Sequence, residues 1–160
     1  MAIKVGDRVP NGTFMVMTAD GPKPKTTDEL FKGKKVVLFA VPGAFTPTCH
    51  RNHLPGFVKH AAAIKAKGID AIAVTGVNDV FVMDAWKKAS GGDAIEFLAD
   101  GSGNWAKAVG LTADLIERGL GVRSQRYAMV VDDGIVKTLN IEDAPGKAEI
   151  SGADNILKGL

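Results

Sequence analysis

Lys35-Val36-Val37-Leu38-Phe39-Ala40-Val41, running straight into Pro42-Gly43-Ala44-Phe45-Thr46-Pro47-Thr48-Cys49-His50, decides how this chain folds. The first run is apolar without alternation and has the length of a strand. A strand wet on one face alternates, so an unbroken run predicts a strand covered on both faces. The second run turns: Pro42 and Gly43 interrupt the strand, and Pro47 suits the first turn of a helix that Thr46 or Thr48 can cap. A buried strand feeding a helix through a short loop is the building unit of α/β proteins.

The pattern continues on both sides. From about Thr48 to Lys67 the spacing is helical, with Leu54, Phe57, Val58, Ala61, Ala62 and Ile64 able to face a core and Pro55 expected to kink or break the helix. Ile69 to Thr75 reads as the next strand, and Asn78 or Asp79 caps a helix running through Lys88. Glu96 to Ala99 is a short strand, and Asn104 to Val109 a short helix. Arg126 to Val131 and Gly134 to Ile141 flank Asp132-Asp133-Gly134, a hairpin signal, before a closing helix from Ala153 to Leu160. Upstream, Thr27 to Phe31 suggests a brief helix, and Gly21-Pro22-Lys23-Pro24-Lys25 reads as a turn. The order predicts one α/β domain over residues 1–160, a mixed sheet with helices on both faces. A thioredoxin-like arrangement accommodates it, although pattern alone does not select it.

Composition narrows the function classes. The chain has 160 residues, 46% hydrophobic and 24% charged, which argues against disorder. Net charge is +2, and Lys32, Lys34 and Lys35 form the densest basic cluster, a solvated turn rather than a nucleic-acid patch. No apolar run approaches the roughly 20 residues that span a bilayer, so neither nucleic acid nor membrane is an expected partner. One cysteine rules out an internal disulfide, and the N-terminus lacks a secretory pattern, so a reducing compartment, most simply the cytoplasm, is expected.

A lone cysteine without context is most often a small buried hydrophobe. Cys49 has context: it lies at a strand-to-helix junction, where unpaired backbone N–H groups of a helix N-terminus favour a thiolate. Ligand sites of open α/β sheets concentrate at such carboxyl ends of strands. The histidines nearby, His50, His53 and His60, invite a zinc reading, but His60 is eleven residues beyond Cys49, roughly 16 Å along a straight helix, and the four ligands of a closed site are lacking. No metal is expected. Gly91-Gly92 and Gly101-Ser102-Gly103 lack the spacing of a phosphate loop and read as turns.

The wording Pro42-Gly43-Ala44-Phe45-Thr46-Pro47-Thr48-Cys49 resembles the active-site signature of peroxiredoxins, Pro-x-x-x-Thr-x-x-Cys. With His53-Leu54-Pro55-Gly56-Phe57, Val77 to Met83, Trp86, Phe97 to Gly101 and Gly121 to Tyr127, it is similar to the type II (fifth) subfamily, and the likeness runs from near Val5 to Leu157. The resemblance implies a thioredoxin-like fold and a thiol-dependent peroxidase acting on hydrogen peroxide and organic hydroperoxides. Cys49 would attack the peroxide and become a sulfenic acid. Thr46 would offer its hydroxyl to peroxide and thiolate, Arg123 its guanidinium, and Pro42 would shield the site from water. The plainer reading of Arg123 is a surface ion pair, and of Thr46 a helix cap, which is compatible with the catalytic role. The resemblance also implies a homodimer, with Phe45 and Phe81 near the interface; both could equally be core residues.

The resemblance implies that the second cysteines of some type II members would fall at Val74 and near Ile150-Ser151 of this chain, so neither internal route is available. The sulfenic acid would therefore be resolved by an external thiol, glutathione with or without glutaredoxin, with thioredoxin as an alternative donor; no cofactor is expected. Two other classes stay open on the residues alone: a redox sensor whose sulfenate signals without turnover, and a hydrolase using Cys49 with His53 as base.

Overall fold

The computed structural model describes residues 2–144 and 146–160. Its centre is a seven-stranded sheet in the order β2-β1-β5-β4-β3-β8-β9, built from Thr13–Thr18 (β1), Gly21–Thr26 (β2), Lys35–Val41 (β3), Ala71–Gly76 (β4), Glu96–Ala99 (β5), Tyr127–Asp132 (β8) and Ile135–Ile141 (β9). β3, β4 and β5 run parallel, and β8 pairs antiparallel with β3, so the sheet is mixed. Thr112–Leu115 (β6) and Gly121–Ser124 (β7) form a separate two-stranded ribbon.

The unbroken apolar run of β3 is explained by its neighbours. Val37, Phe39 and Val41 belong to a core cluster with Phe57, Ile64, Trp86 and Ile156. These come from helices Leu54–Ala66 (α2), Val80–Ser90 (α3) and Ala153–Lys158 (α5). Val36, Leu38 and Ala40 belong to the other cluster with Leu30, Phe31, Trp105 and Val109, from Thr27–Phe31 (α1) and Asn104–Val109 (α4). Alternate side chains of a strand point to opposite faces, so both sets are apolar because both faces are covered. The molecule is a single α/β thioredoxin-like domain with helices on both faces of a mixed sheet.

Three local readings change, and the first is that β1 has no counterpart in the sequence reading, although it pairs along its whole length with β2 and meets β5 at Met15–Ala99. Gly21 to Lys25 is the outer strand β2, not a turn: Pro22 pairs opposite Met17 and Pro24 opposite Met15. β2 is the sheet edge, where a proline gives up no ladder bond and, with Lys23 and Lys25 beside it, blunts pairing with another chain. The ribbon β6–β7 has no counterpart in the sequence reading; its strands are four residues each and half-exposed, too short for an alternation to register.

Pro55 acts as expected, by a specific route. In a continuous α-helix its ring would meet the carbonyl of Arg51. Instead Cys49–His53 forms a π turn in which the Leu54 N–H donates to Cys49 O, and α2 starts afresh at Leu54 with Pro55 in its first turn. Widened turns of this kind occur often at functional sites.

Candidate active site

The site forms where β3 ends and β8 begins. Ala40 pairs with Tyr127 across the antiparallel ladder, so the residue just before β8, Arg126, sits beside the end of β3. Arg126 lies two positions before Ala128 and four before Val130, both in the cluster that contains Cys49, and period-two alternation turns it to that same side. β9 then returns along β8, and the Glu142 N–H donates to Arg126 O at 3.0 Å, bringing the segment after β9 over the site.

A helical turn begins at Pro47, and the His50 N–H donates to Thr46 O at 2.8 Å. The Thr46 hydroxyl lies 2.9 Å from Cys49 Sγ and 2.7 Å from Gly43 O. Having one proton, it donates either to the sulfur or to Gly43 O; when the proton goes to Gly43 O, a lone pair faces the sulfur and can accept from a thiol. Arg126 Nη2 also donates to Sγ, at 2.9 Å. A neutral hydroxyl and a guanidinium thus converge on one sulfur that is wholly buried. Donors of this kind bond an anionic acceptor about twice as strongly as a neutral one.

Arg126 is itself held. Its Nη1 lies 2.9 Å from His53 Nδ1, and His53 Nε2 lies 2.9 Å from Ser151 O. A carbonyl only accepts, so the ring proton sits on Nε2, and Nδ1 accepts from the guanidinium. Burial first, and then the Arg126 charge, pull the His53 pKa down to about 3, against a smaller opposing pull from Ser151 O. The imidazole is neutral across the physiological range. Ser151 is fixed in turn by Glu142, whose Oε2 accepts from Ser151 N–H, Ser151 Oγ and Glu149 N–H. A polar relay therefore runs from sulfur to guanidinium, imidazole, backbone and buried carboxylate.

The expectation for Arg123 is corrected. Its Nε donates to Leu120 O at 2.7 Å and its Nη1 to Pro42 O at 3.3 Å, and the guanidinium on the sulfur is that of Arg126. Arg123 stands on β7 in the separate ribbon, and what it reaches is the turn before Thr46. A methyl group on Gly43 would lie 3.0 Å from both Arg123 Nη1 and Thr46 Cγ2, so Arg123 packs as a brace on that turn. Both arginines lie in the Gly121 to Tyr127 block. The signal that separates them is register: Arg126 immediately precedes the strand that pairs with β3.

His53 also had to come from the structure. On the sequence it read as a stray metal ligand or a hydrolytic base, whereas its ring bonds Arg126 and Ser151 O and not the sulfur. The other histidines disperse: His50 Nδ1 accepts from Trp86 Nε1, and His60 pairs with Asp154. Among the described residues no group of three metal-ligating side chains occurs. No helix among the described residues is long and apolar enough to cross a membrane.

Pro42 is buried and, with Thr46 and Arg126, lines a cleft of about 430 Å³ beside the sulfur. Opposite this, the turn Ala44–Phe45 is tied by the Ala44 N–H donating to Asn78 Oδ1 at 2.9 Å. Phe45 has φ of +63° and is about half exposed. A bulky residue in that region is strained and persists only where its surroundings fix it.

A thioredoxin-like fold carrying one cysteine between a hydroxyl and a guanidinium at the end of a central strand defines a thiol-redox protein. The comparisons give the class its family. A Redoxin family model matches residues 4–157. Peroxiredoxin-2E-2, chloroplastic, of Oryza sativa subsp. japonica is 51% identical over 99% of this chain and 72% of its own length. Peroxiredoxin-2C of the same plant is 48% identical over 99% and 98%. Among solved structures, reduced Prx3 of Vibrio vulnificus in complex with H2O2 superposes with a TM-score of 0.94 at 51% identity, covering 98% of each chain. The chain belongs to the peroxiredoxins, close to the type II members, and is a thiol peroxidase with a single cysteine.

Proposed function

We propose that the protein reduces hydrogen peroxide and organic hydroperoxides through Cys49 and is regenerated by an external thiol, glutathione with or without glutaredoxin. The observation that carries the reading is the pair of donors, Thr46 Oγ1 and Arg126 Nη2, each 2.9 Å from one sulfur. The Cys49 thiolate attacks the terminal oxygen of ROOH. A sulfur–oxygen bond forms, the O–O bond breaks, and its electron pair leaves as alkoxide, which takes up a proton to become ROH. The same hydroxyl and guanidinium stabilise charge on the departing oxygen, the role of an oxyanion hole. Pro42 covers the site against water.

The sulfenic acid left on Cys49 condenses with a thiol, releasing water and forming a mixed disulfide, and a second thiol displaces it to restore Cys49. An external donor is supported by the sequence itself, which holds no second cysteine. Cys49 is fully covered while its donors Thr46 and Arg126 line the cleft, so peroxide approaches the sulfur by way of these two side chains, and the bulkier thiol of the second step needs the Cys49–His53 turn to open. A lone thiol that must return to the reduced state also suits the cytoplasm.

Stopped-flow reduction of peroxide by the wild type and Cys49→Ser tests the first half. The serine variant is expected to be inactive, and retained turnover would overturn the reading. Mass spectrometry after peroxide and glutathione tests the second: a glutathione adduct on Cys49 is expected, and turnover with thioredoxin alone would replace glutathione as donor.

A further inference from the structure

We infer that the cleft beside Cys49 selects organic hydroperoxides that carry a carboxylate, and that Arg118 is the residue that recognises it. The inference rests on the peroxidase reading above. Hydrogen peroxide needs little more room than a water molecule, whose share of liquid volume is about 30 Å³. The cleft measures about 430 Å³, inside the range of roughly 300–1,000 Å³ that holds small organic ligands. The surplus space has a definite chemistry. Pro42, Pro47, Leu115 and Leu120 make its walls apolar, Arg126 lies at the end nearest the sulfur, and Arg118 is the second cation lining it. No carboxylate lines the cleft among the described residues.

Arg118 differs from the other two arginines of this region. Arg126 is committed to sulfur and imidazole, and Arg123 to two backbone carbonyls. Arg118 is exposed and makes no hydrogen bond or ion pair among the described residues. It sits in the short 3-10 turn Ile116–Arg118 between β6 and β7, which has Leu115 and Leu120 on either side of it. A substrate whose peroxide end meets Thr46 and Arg126 thus shares its cleft with apolar walls and with an uncommitted guanidinium. Guanidinium binds carboxylate through paired donors in one plane. The reaction is unchanged: the O–O bond breaks, the sulfur is oxidised, and the product is the corresponding hydroxy acid.

The test compares linoleic acid hydroperoxide with its methyl ester, which removes the negative charge and adds one methyl group, with hydrogen peroxide as reference. Second-order rate constants for Cys49 oxidation are measured in the wild type, Arg118→Gln and Arg118→Lys. The wild type is expected to favour the acid over the ester, and Arg118→Gln to reduce that ratio about tenfold, the scale of one charge-assisted contact in a partly solvated site. Arg118→Lys should restore part of the ratio, and added salt should erode it in the wild type. An acid-to-ester ratio unchanged in Arg118→Gln would overturn the inference. So would a variant defective only in the glutathione step, since the cation would then serve the reductant's carboxylates. If the wild type oxidises Cys49 with none of the three peroxides, the peroxidase reading itself fails, a result distinct from lost selectivity.

Discussion

At the scale of the residue, the two arginines make the sharpest contrast. Arg126 touches the reacting sulfur, so Arg126→Met removes a donor on which transition-state charge depends. The peroxide rate constant is expected to fall about 10²- to 10³-fold, the cost of losing one such donor. Arg123→Ala loosens only the Pro42–Gly43 turn and should cost less than about tenfold; a reversal of that ranking in stopped-flow assays would reassign the guanidinium. His53 supplies a separate test. Its pKa is near 3 in the fold against an ordinary value of 6.5. Between those values the unfolded chain binds a proton that the native protein does not, so the contribution to stability is complete above about pH 6.5 and is lost as pH falls toward 3. The slope is about 1.4 kcal/mol per pH unit for one proton. Urea unfolding of the wild type and His53→Gln at several pH values should show this slope only in the wild type; parallel profiles would refute a neutral, buried His53. Much of this site was legible. Cys49, Thr46 and Pro42 stand in one loop whose strand and helix flanks are strong signals, and the structure brings all three to one cleft and its buried sulfur. Arg126 and His53 were not legible, because their roles depend on which strand pairs with β3 and on how the chain closes over it, both long-range facts.

At the scale of the element, the site hangs on two loop ties that local chemistry announces. Asp79 caps α3 by accepting the Val82 N–H at 2.8 Å, and Asn78 beside it holds the Ala44 amide. Asp79→Ala should cost about 1 kcal/mol, as lost N-caps generally do. Asn78→Ala should cost a similar amount in denaturation and also slow peroxide reduction several-fold, because the turn carrying Thr46 loses a tether. If Asn78→Ala lowers stability while leaving the rate untouched, the tether does not position Thr46. Elements with strong periodic or capping signals matched closely: β3, β5, α1 and α4 have the predicted bounds. β2 did not, because a Pro-Lys-Pro stretch reads as a turn until its edge position is known. The π turn was foreshadowed only as a break at Pro55. Hydropathy spacing sees that a helix is interrupted but not whether the chain bends or widens, and here it widens within the segment that carries Cys49.

At the scale of the whole molecule, the remaining question is what covers the aromatic edge near the site. Phe45 is 46% and Phe81 64% exposed, each large and apolar. The Ala44–Asn78 bond ties the turn of Phe45 to the loop that leads into α3, where Phe81 lies in the first turn. The two exposed rings are therefore carried by neighbouring segments, and exposed aromatics are the side chains that most often anchor protein interfaces. A second copy turned by a two-fold axis would meet these rings with its own, the self-complementary contact of most small homo-oligomers. It would also give the exposed ring of Phe45, set on a left-handed backbone, something to pack against. Sedimentation is expected to give twice the mass of the chain at micromolar concentration. Phe81→Asp should weaken association at least tenfold, as loss of an aromatic anchor commonly does, and leave the Cys49 donors in place. A wild type that sediments as a single chain at those concentrations would refute the dimer, and the two phenylalanines would then need a different partner.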